Sequence, residues 1–129
     1  MPSHSYSLSH AGRLLGVSGD TVRRWADAGR LTTSVDDKGR RVVEGAALAA
    51  FAQSLADAPE GRGTSARNRF PGLVTRVQAG GVVAQVDIQA GPHRVVSLMT
   101  REAAEELELA PGVEVVAVVK APAVVVEIS

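Results

Sequence analysis

The sequence predicts an α+β protein made of two small domains, one mainly helical and the next built of strands. Before residue 58, short apolar stretches at helical spacing begin after serine and end at glycine. After residue 70, valine-rich runs alternate with glycine and proline turns, as strands do. Residues 59–63 combine proline, glycine and charge, so we expect domains at 1–58 and 64–129 with a linker between them.

The composition argues against several classes of function. The 129 residues include no cysteine, which removes disulfides, thiolate metal sites and cysteine nucleophiles. The three histidines are scattered without metal-site spacing, and no carboxylate has a histidine or cysteine partnered to it. We therefore expect no enzymatic activity and no metal ion, other than a metal that arrives as an oxyanion.

Charge and hydropathy predict a cytoplasmic protein with no membrane partner. Fourteen basic and fourteen acidic residues give zero formal charge, so no overall field attracts nucleic acid or lipid. No apolar run approaches the roughly 20 residues that span a bilayer, and the start of the chain lacks a signal-peptide pattern. Because each half would bury only a thin core, we expect a homo-oligomer, from dimer to hexamer.

Two short helices joined by a tight turn are predicted first. The segment up to Ser7 is polar and expected to fray. Ser9 is placed to cap the first helix, which ends at Gly16, and Ser18 is placed to cap the second, which ends near residue 28. A Gly-Val-Ser turn between two such helices is what a helix-turn-helix requires, because the turn sets the second helix across the first.

A hairpin and a third helix follow. Residues 32–43 contain Asp-Asp-Lys-Gly between extended runs, which predicts a β-hairpin, or wing, with glycine at a turn position of positive φ. A helix over about residues 44–58 would close the core. Trp25 on the second helix is assigned to that core rather than to base stacking.

Residues 8–31 closely resemble the start of MerR-type and excisionase-type winged helix-turn-helix domains. The resemblance rests on the run G-V-S…T-V-R-R-W…G-R-L, followed by a hairpin ending in Arg-Arg and by a helix. It implies that the second helix enters the major groove of double-stranded DNA and that the wing touches phosphates. The implied DNA-binding residues are Thr21, Arg23, Arg24, Lys38, Arg40 and Arg41. A solvated surface charge is the alternative for each basic residue. Nearby aspartates weaken the positive field, so tight DNA binding would need two or more copies of the DNA-binding domain.

The second half is predicted to be a small barrel. Strands are expected at about residues 70–77, 82–88, 94–99, 113–119 and 124–128, with a short helix over about 101–107 that Thr100 caps. Five short strands with a helix between the third and fourth describe an OB-like five-stranded β-barrel. Just before it, residues 64–69 gather two hydroxyls, an amide and two guanidinium groups, which suits the capture of a small oxyanion. A polar interdomain linker is the alternative for that stretch.

This half is similar to the molybdate-binding Mop (molbindin, or TOBE-type) domain. The residues that carry the similarity are S-A-R-N at 65–68, F-P-G at 70–72, S-L-M-T at 97–100, L-E-L at 107–109, P-G at 111–112 and V-K-A at 119–121. The similarity implies a site for molybdate or tungstate where barrels of different subunits meet. The implied oxyanion-binding residues are Ser65, Arg67, Asn68, Thr100, Lys120 and the backbone N–H of Ala121. Asn68 has the alternative role of tying the preceding loop to the barrel, and alanines stand at 103 and 121 where some relatives carry hydroxyls.

The implied chemistry is consistent with the residue types. A dianion removed from water must meet opposite charge and several donors. Arg67 and Lys120 supply charge, Ser65 a hydroxyl, and Thr100 with the start of its helix supplies N–H groups.

The two resemblances together imply a molybdate- or tungstate-responsive DNA-binding transcriptional regulator. The oxyanion would favour one oligomeric arrangement and so set the spacing of the DNA-binding heads. The alternative is an intracellular molybdate storage or homeostasis protein whose N-terminal domain only aids assembly. The first half supports that alternative, because residues 1–63 carry 8 basic and 7 acidic side chains. The only ligand expected is the oxyanion, with no organic cofactor, and the choice between molybdate and tungstate stays open.

Overall fold

The computed structural model describes residues 4–56 and 63–129. The chain divides into two compact units, Met1–Asp57 and Ala58–Ser129, and it is a small α+β protein as predicted. Apart from Gly63, the predicted linker lies outside the described residues. In the described part of the chain, no helix has the length and apolar character needed to cross a membrane.

The first unit contains a small antiparallel sheet and three helices over residues 4–56. Its elements are β1 (Ser5–Ser7), α1 (Leu8–Leu15), α2 (Gly19–Asp27), β2 (Ser34–Val35), β3 (Arg41–Glu44) and α3 (Gly45–Leu55). The sheet order is β1-β3-β2. Two helices, a hairpin and a third helix therefore occur in the predicted order, and Gly39 has φ of 78° at the hairpin turn.

Two expectations for the start of this unit were wrong. Within the polar segment before α1, residues 5–7 are not frayed, because Ser5–Ser7 pairs with β3 and Tyr6 packs on the core; residues 1–3 of that segment lie outside the described residues. The cap of α1 is Ser7, whose hydroxyl accepts from the His10 N–H at 3.1 Å, rather than Ser9. A three-residue edge strand has too short an alternation to be recognised, and its partner lies far along the chain.

Helices α1 and α2 of the first unit pack closely against each other at the turn that connects them. The hydroxyl of Ser18 caps α2 as predicted, accepting from the Thr21 N–H at 3.1 Å. A Cβ at Gly12 would lie 2.6 Å from the Val17 carbonyl oxygen, so only glycine lets α1 approach the turn this closely. The core residues are Leu8, Ala11, Val22, Leu31, Val43 and Leu48, with Trp25 and Phe51 packed against them.

The second unit is built on an antiparallel sheet. Its elements are β4 (Asn68–Ala79), β5 (Val83–Ala90), β6 (His93–Thr100), α4 (Arg101–Glu106), β7 (Glu114–Val119) and a 3₁₀ turn (Ala121–Ala123). The sheet order is β6-β5-β4-β7. The first part of β4 pairs with β7 and the last part with β5. A Cβ at Gly72 would lie 2.5 Å from the Gln89 carbonyl oxygen, so glycine lets β4 pass close over the end of β5.

The predicted fifth strand is absent from the described residues, and the sheet has four strands. Residues 124–129 have no regular secondary structure. The 3₁₀ turn after β7, which contains Pro122, redirects the chain away from the β4–β7 ladder. The side chains of Val125, Val126 and Ile128 are 86%, 82% and 96% exposed. The run of apolar residues that predicted a strand is present, but it pairs with no strand in the described part of the chain.

Candidate oxyanion site and candidate nucleic-acid interface

The predicted oxyanion residues Arg67 and Lys120 leave the β4–β7 ladder side by side. The outermost pair of that ladder joins Asn68 to Val119, and Arg67 and Lys120 are the next residues outward on the two antiparallel segments. The Asn68 side chain donates to the Val119 carbonyl oxygen at 3.1 Å. This bond supports the tying role given above as the alternative for Asn68, and it lies next to the two cationic positions.

The turn before β4 is organised by its own polar groups. The Ala66 N–H donates to the Thr64 hydroxyl at 3.1 Å, and Ala66 is buried. The Arg67 guanidinium donates through Nη1 to the carbonyl oxygens of Thr64 and Ala66, each at 3.3 Å. Ser65 is exposed. The turn thus restrains Arg67 through one nitrogen, while its Nε and Nη2 make no hydrogen bond within the described chain.

The other side of the site is the turn after β7. The Lys120 carbonyl accepts from the Ala123 N–H at 2.9 Å, which closes the 3₁₀ turn. The side chains of Lys120 and Ala121 are exposed. Among residues 4–56 and 63–129, the ion pairs all lie elsewhere, so neither Arg67 nor Lys120 has a carboxylate within 4.0 Å. This end of the sheet therefore carries positive charge that no carboxylate of the described residues neutralises.

Thr100 lies at the other end of the sheet. It pairs with Val83 at the start of β5, next to the residue that pairs with Ala79 at the end of β4. At about 3.3 Å per residue, the path along β4 from Asn68 to Ala79 is roughly 36 Å. The Thr100 hydroxyl caps α4 by accepting from the Ala103 N–H at 3.1 Å. Within one chain, the sheet separates Thr100 from Arg67 and Lys120.

A buried carboxylate on β5 was missed by the sequence reasoning. Asp87 is 6% exposed, and its carboxylate accepts from Arg94 Nη2 at 2.8 Å and from Gln85 Nε2 at 3.0 Å. The hydrogen bond from Gln85, and then the Arg94 guanidinium, hold the pKa of Asp87 below its ordinary value. The sequence signal that could have revealed it is a single acidic residue within the alternating pattern of β5. Its partner satisfies it, so this pair stabilises the sheet rather than forming a site.

Helix α2 carries three of the predicted DNA-binding residues, Thr21, Arg23 and Arg24. Arg23 Nη1 forms an ion pair with Asp20 at 3.2 Å. Arg24 Nη2 donates to the Thr21 hydroxyl at 3.1 Å. That hydroxyl also lies 2.9 Å from the hydroxyl of the cap, Ser18. The three predicted residues thus lie together on or beside the exposed face of α2.

The wing carries the other three, Lys38, Arg40 and Arg41. Arg40 Nε pairs with Asp36 at 3.2 Å, and Arg41 Nη1 pairs with Asp27 of α2 at 2.8 Å. The carboxylate of Asp36 also accepts from the N–H groups of Arg40 and Lys38 at 2.8 and 3.0 Å. The Arg40 N–H is the main cause that lowers the pKa of Asp36. The structure therefore places aspartates against three of the five basic residues predicted to bind DNA.

No group of three or more His, Cys, Asp or Glu side chains is arranged to hold a metal ion within the two described stretches.

Residues 64–126, just under half of the chain, match the TOBE domain family. The C-terminal unit carries a TOBE domain. The prediction made for this half is thereby confirmed at the level of the domain. The match spans both cationic residues that flank the β4–β7 ladder.

The TOBE domain also resembles known proteins. It is 45% identical over 62 residues to the molybdenum transport protein ModE of Azotobacter vinelandii. That alignment covers 47% of this chain and 23% of that protein. It is 44% identical over 59 residues to the molybdenum-pterin-binding protein MopA of Rhodobacter capsulatus. That alignment covers 45% of this chain and 22% of that protein. The chain thus spans under a quarter of these relatives. A solved molybdate-binding protein from Sporomusa ovata is 30% identical with a TM-score of 0.48, and the alignment covers 49% of this chain and 94% of that one.

Proposed function

We propose that this protein binds molybdate or tungstate at the β4–β7 end of its TOBE domain. The observation that carries the proposal is the neighbouring position of Arg67 and Lys120, which have no carboxylate partner among the described residues. A tetrahedral dianion needs charge-assisted donors on several sides. Molybdenum as the element is supported by the ModE, MopA and Sporomusa ovata proteins, whose names refer to molybdenum or molybdate.

The proposed site has parts from more than one copy of the chain. Arg67 and Lys120 supply the charge, and Ser65 and the Ala121 N–H supply neutral donors. Thr100 belongs to the opposite end of the sheet, so it contributes only from another copy. Its hydroxyl accepts from Ala103 and keeps its own proton for the anion.

A homo-oligomer is therefore part of the proposal, and the C-terminal segment supports it. Residues 124–128 are apolar at four of five positions, and several of their side chains are almost fully exposed. Edge β6 pairs only with β5, and residues 68–72 of β4 pair only with β7. The open edge of β4 is five residues long, the same length as residues 124–128. We infer that residues 124–128 pair with this edge of β4 in a second copy, because burial of such a segment is favourable.

We further propose that the protein is a cytoplasmic transcriptional regulator. The first unit supplies two helices, a three-residue turn and a wing, with the predicted DNA-binding residues on α2 and on the hairpin. Oxyanion binding at contacts between copies would set the spacing of the helical units. Since coupling of two binding sites is reciprocal, DNA and oxyanion then alter one another's affinity.

A storage or homeostasis protein is the second candidate. The pairing of Arg23, Arg40 and Arg41 with aspartates favours it, because these side chains already have counter-charges. Replacing Arg23 and Arg24 together by alanine separates the candidates. A regulator loses DNA binding and keeps the oxyanion, whereas a storage protein has no DNA binding to lose.

Native mass spectrometry of the full chain, with and without molybdate, tests the oxyanion proposal. We expect an oligomer that gains whole molybdate ions. The double variant R67A/K120A should gain none, while R13A, which removes one exposed charge from the first unit, should behave as wild type. Equal molybdate uptake by the double variant would refute this site. Operator affinity that is unchanged by saturating molybdate would refute the regulatory part alone.

A further inference from the structure

Helix α2 presents its two arginines in different directions. Val22 on α2 is fully buried and marks the inner face of the helix. At about 100° per residue, Arg24 lies roughly 160° around the helix from Val22, and Arg23 roughly 100°. Arg24 is therefore in the middle of the exposed face, and Arg23 is on its flank.

The two arginines also differ in what holds them. Arg23 Nη1 is bound to the carboxylate of Asp20 at 3.2 Å. Arg24 has no carboxylate within 4.0 Å in the described stretches and donates through Nη2 to the neutral hydroxyl of Thr21 at 3.1 Å. Because that hydroxyl lies 2.9 Å from the hydroxyl of Ser18, a chain of hydrogen bonds holds the Arg24 guanidinium towards the N-terminal end of α2. In helix-turn-helix proteins that end of the helix contacts base edges.

The acidic neighbours of Arg24 are already paired with other arginines. Asp20 and Asp27 lie at about 160° and 140° from Val22, on the same exposed face, and their carboxylates hold Arg23 and Arg41. Nε and Nη1 of Arg24 make no hydrogen bond within the described stretches. A planar guanidinium with such free donors is matched to two acceptors in one plane, as on guanine O6 and N7.

We propose that Arg24 is the specificity-determining residue of α2, which reads a guanine edge in the major groove, and that Arg23 binds phosphate. This inference rests on the proposed DNA binding and deepens it. It divides two adjacent residues of the same type into one that recognises sequence and one that supplies affinity without sequence preference.

The test uses the full chain with molybdate and a duplex obtained by selection from a random pool. Affinity is measured by fluorescence anisotropy for the selected duplex and for a shuffled duplex of equal length and composition. R24A should weaken binding to the selected duplex by roughly 10- to 100-fold, since that is the range for one lost bidentate base contact. Its affinity for the shuffled duplex should change by less than about threefold, the size of one screened surface charge.

R23A is the matched control, and it should weaken binding to both duplexes by the same small factor. R24K keeps the charge but not the planar pair of donors, so it should lose discrimination as R24A does. Circular dichroism checks that each variant remains folded. Loss of discrimination in R23A, or equal losses on both duplexes in R24A, would overturn the assignment while DNA binding stands. Failure of the wild type to bind any duplex would overturn DNA binding itself, and this assignment with it.

Discussion

The two units of this chain treat their positive charges in opposite ways. In the first unit, Arg23, Arg40 and Arg41 each hold an aspartate at 2.8 to 3.2 Å. At the β4–β7 end of the second unit, Arg67 and Lys120 have no carboxylate partner among the described residues. The arginines at these positions of the first unit thus have counter-charges from the chain, while the two cations at the β4–β7 end have none among the described residues.

The difference shows which cations gain the most free energy when they bind an anion. A cation that is already paired must exchange one partner for another, so its net gain is small. Two neighbouring cations without a partner gain more from a dianion, because each new hydrogen bond is charge-assisted. The open edge of β4 and the exposed segment 124–128 follow the same pattern, since their backbone and apolar groups also lack partners among the described residues.

The largest effect is expected from the C-terminal segment. I128D should dissociate the oligomer, because burial of one isoleucine stabilises each exchanged strand by about 1.5–3 kcal/mol. The fold of the single chain should be unaffected, since Ile128 is 96% exposed there. Light scattering after size exclusion measures the mass. V35S, which removes another exposed apolar side chain, should keep the wild-type mass; an unchanged mass for I128D would mean that the segment is not exchanged.

The next effect tests the cations without partners. K120A should weaken molybdate binding by roughly 10- to 100-fold, because one charge-assisted contact contributes about 1.5–3 kcal/mol. Isothermal titration calorimetry of the full chain checks this. R30A, which removes an exposed charge from the first unit, is the control. If K120A and R30A bind molybdate equally, Lys120 lies outside the site.

A smaller effect tests the paired cations. D20N/D27N removes the partners of Arg23 and Arg41, so affinity for DNA should rise about 2- to 10-fold, as expected for two exposed ion pairs. The salt dependence should also steepen, because more cations are then available to phosphates. D37N removes the same type of charge from the wing, where no ion pair involves Asp37 in the described structure. An equal gain in D37N would show that net charge, and not pairing, limits binding.

The smallest effect concerns the paired charge inside the second unit. The pKa of Asp87 is held below its ordinary value of 3.8, so the carboxylate stabilises the fold above that pH. That stability is lost as the pH falls through the lower folded-state pKa. Urea unfolding at pH 7 and pH 3 should therefore show a shallower loss of stability in D87N than in wild type. D37N should lose as much free energy of unfolding between pH 7 and pH 3 as the wild type. An equal loss in D87N would exclude a contribution from Asp87.

Most helices and strands were predictable because their signals are local. Ser18 and Thr100 cap the helices that follow them, and Gly39 takes the positive φ that the hairpin turn requires. One error concerns a helix cap, where Ser7 and not Ser9 caps α1, and the others concern strands, whose existence depends on partners distant in sequence. Ser5–Ser7 forms a strand because it pairs with β3, whereas residues 124–128 pair with no strand in the described part of the chain.

The candidate site was predicted as a set of residues but not as an arrangement. The similarity to TOBE domains identified Arg67, Lys120 and Thr100 together. Only the register of β4, β5, β6 and β7 shows that two of them leave one end of the sheet while Thr100 lies at the other. The same holds for Asn68, whose bond to Val119 could be foreseen only as an alternative.

The sequence by itself determined the change from helical to strand-rich structure, the capped helices, the hairpin turn and the kinds of charged group available. Those depend on neighbours within a few residues, which the chain order supplies. Tertiary structure alone decided which arginines meet aspartates, which cations remain without a partner, and which strand edges stay open. Ion pairing and strand pairing depend on distance between remote segments, and that distance exists only once the chain has folded.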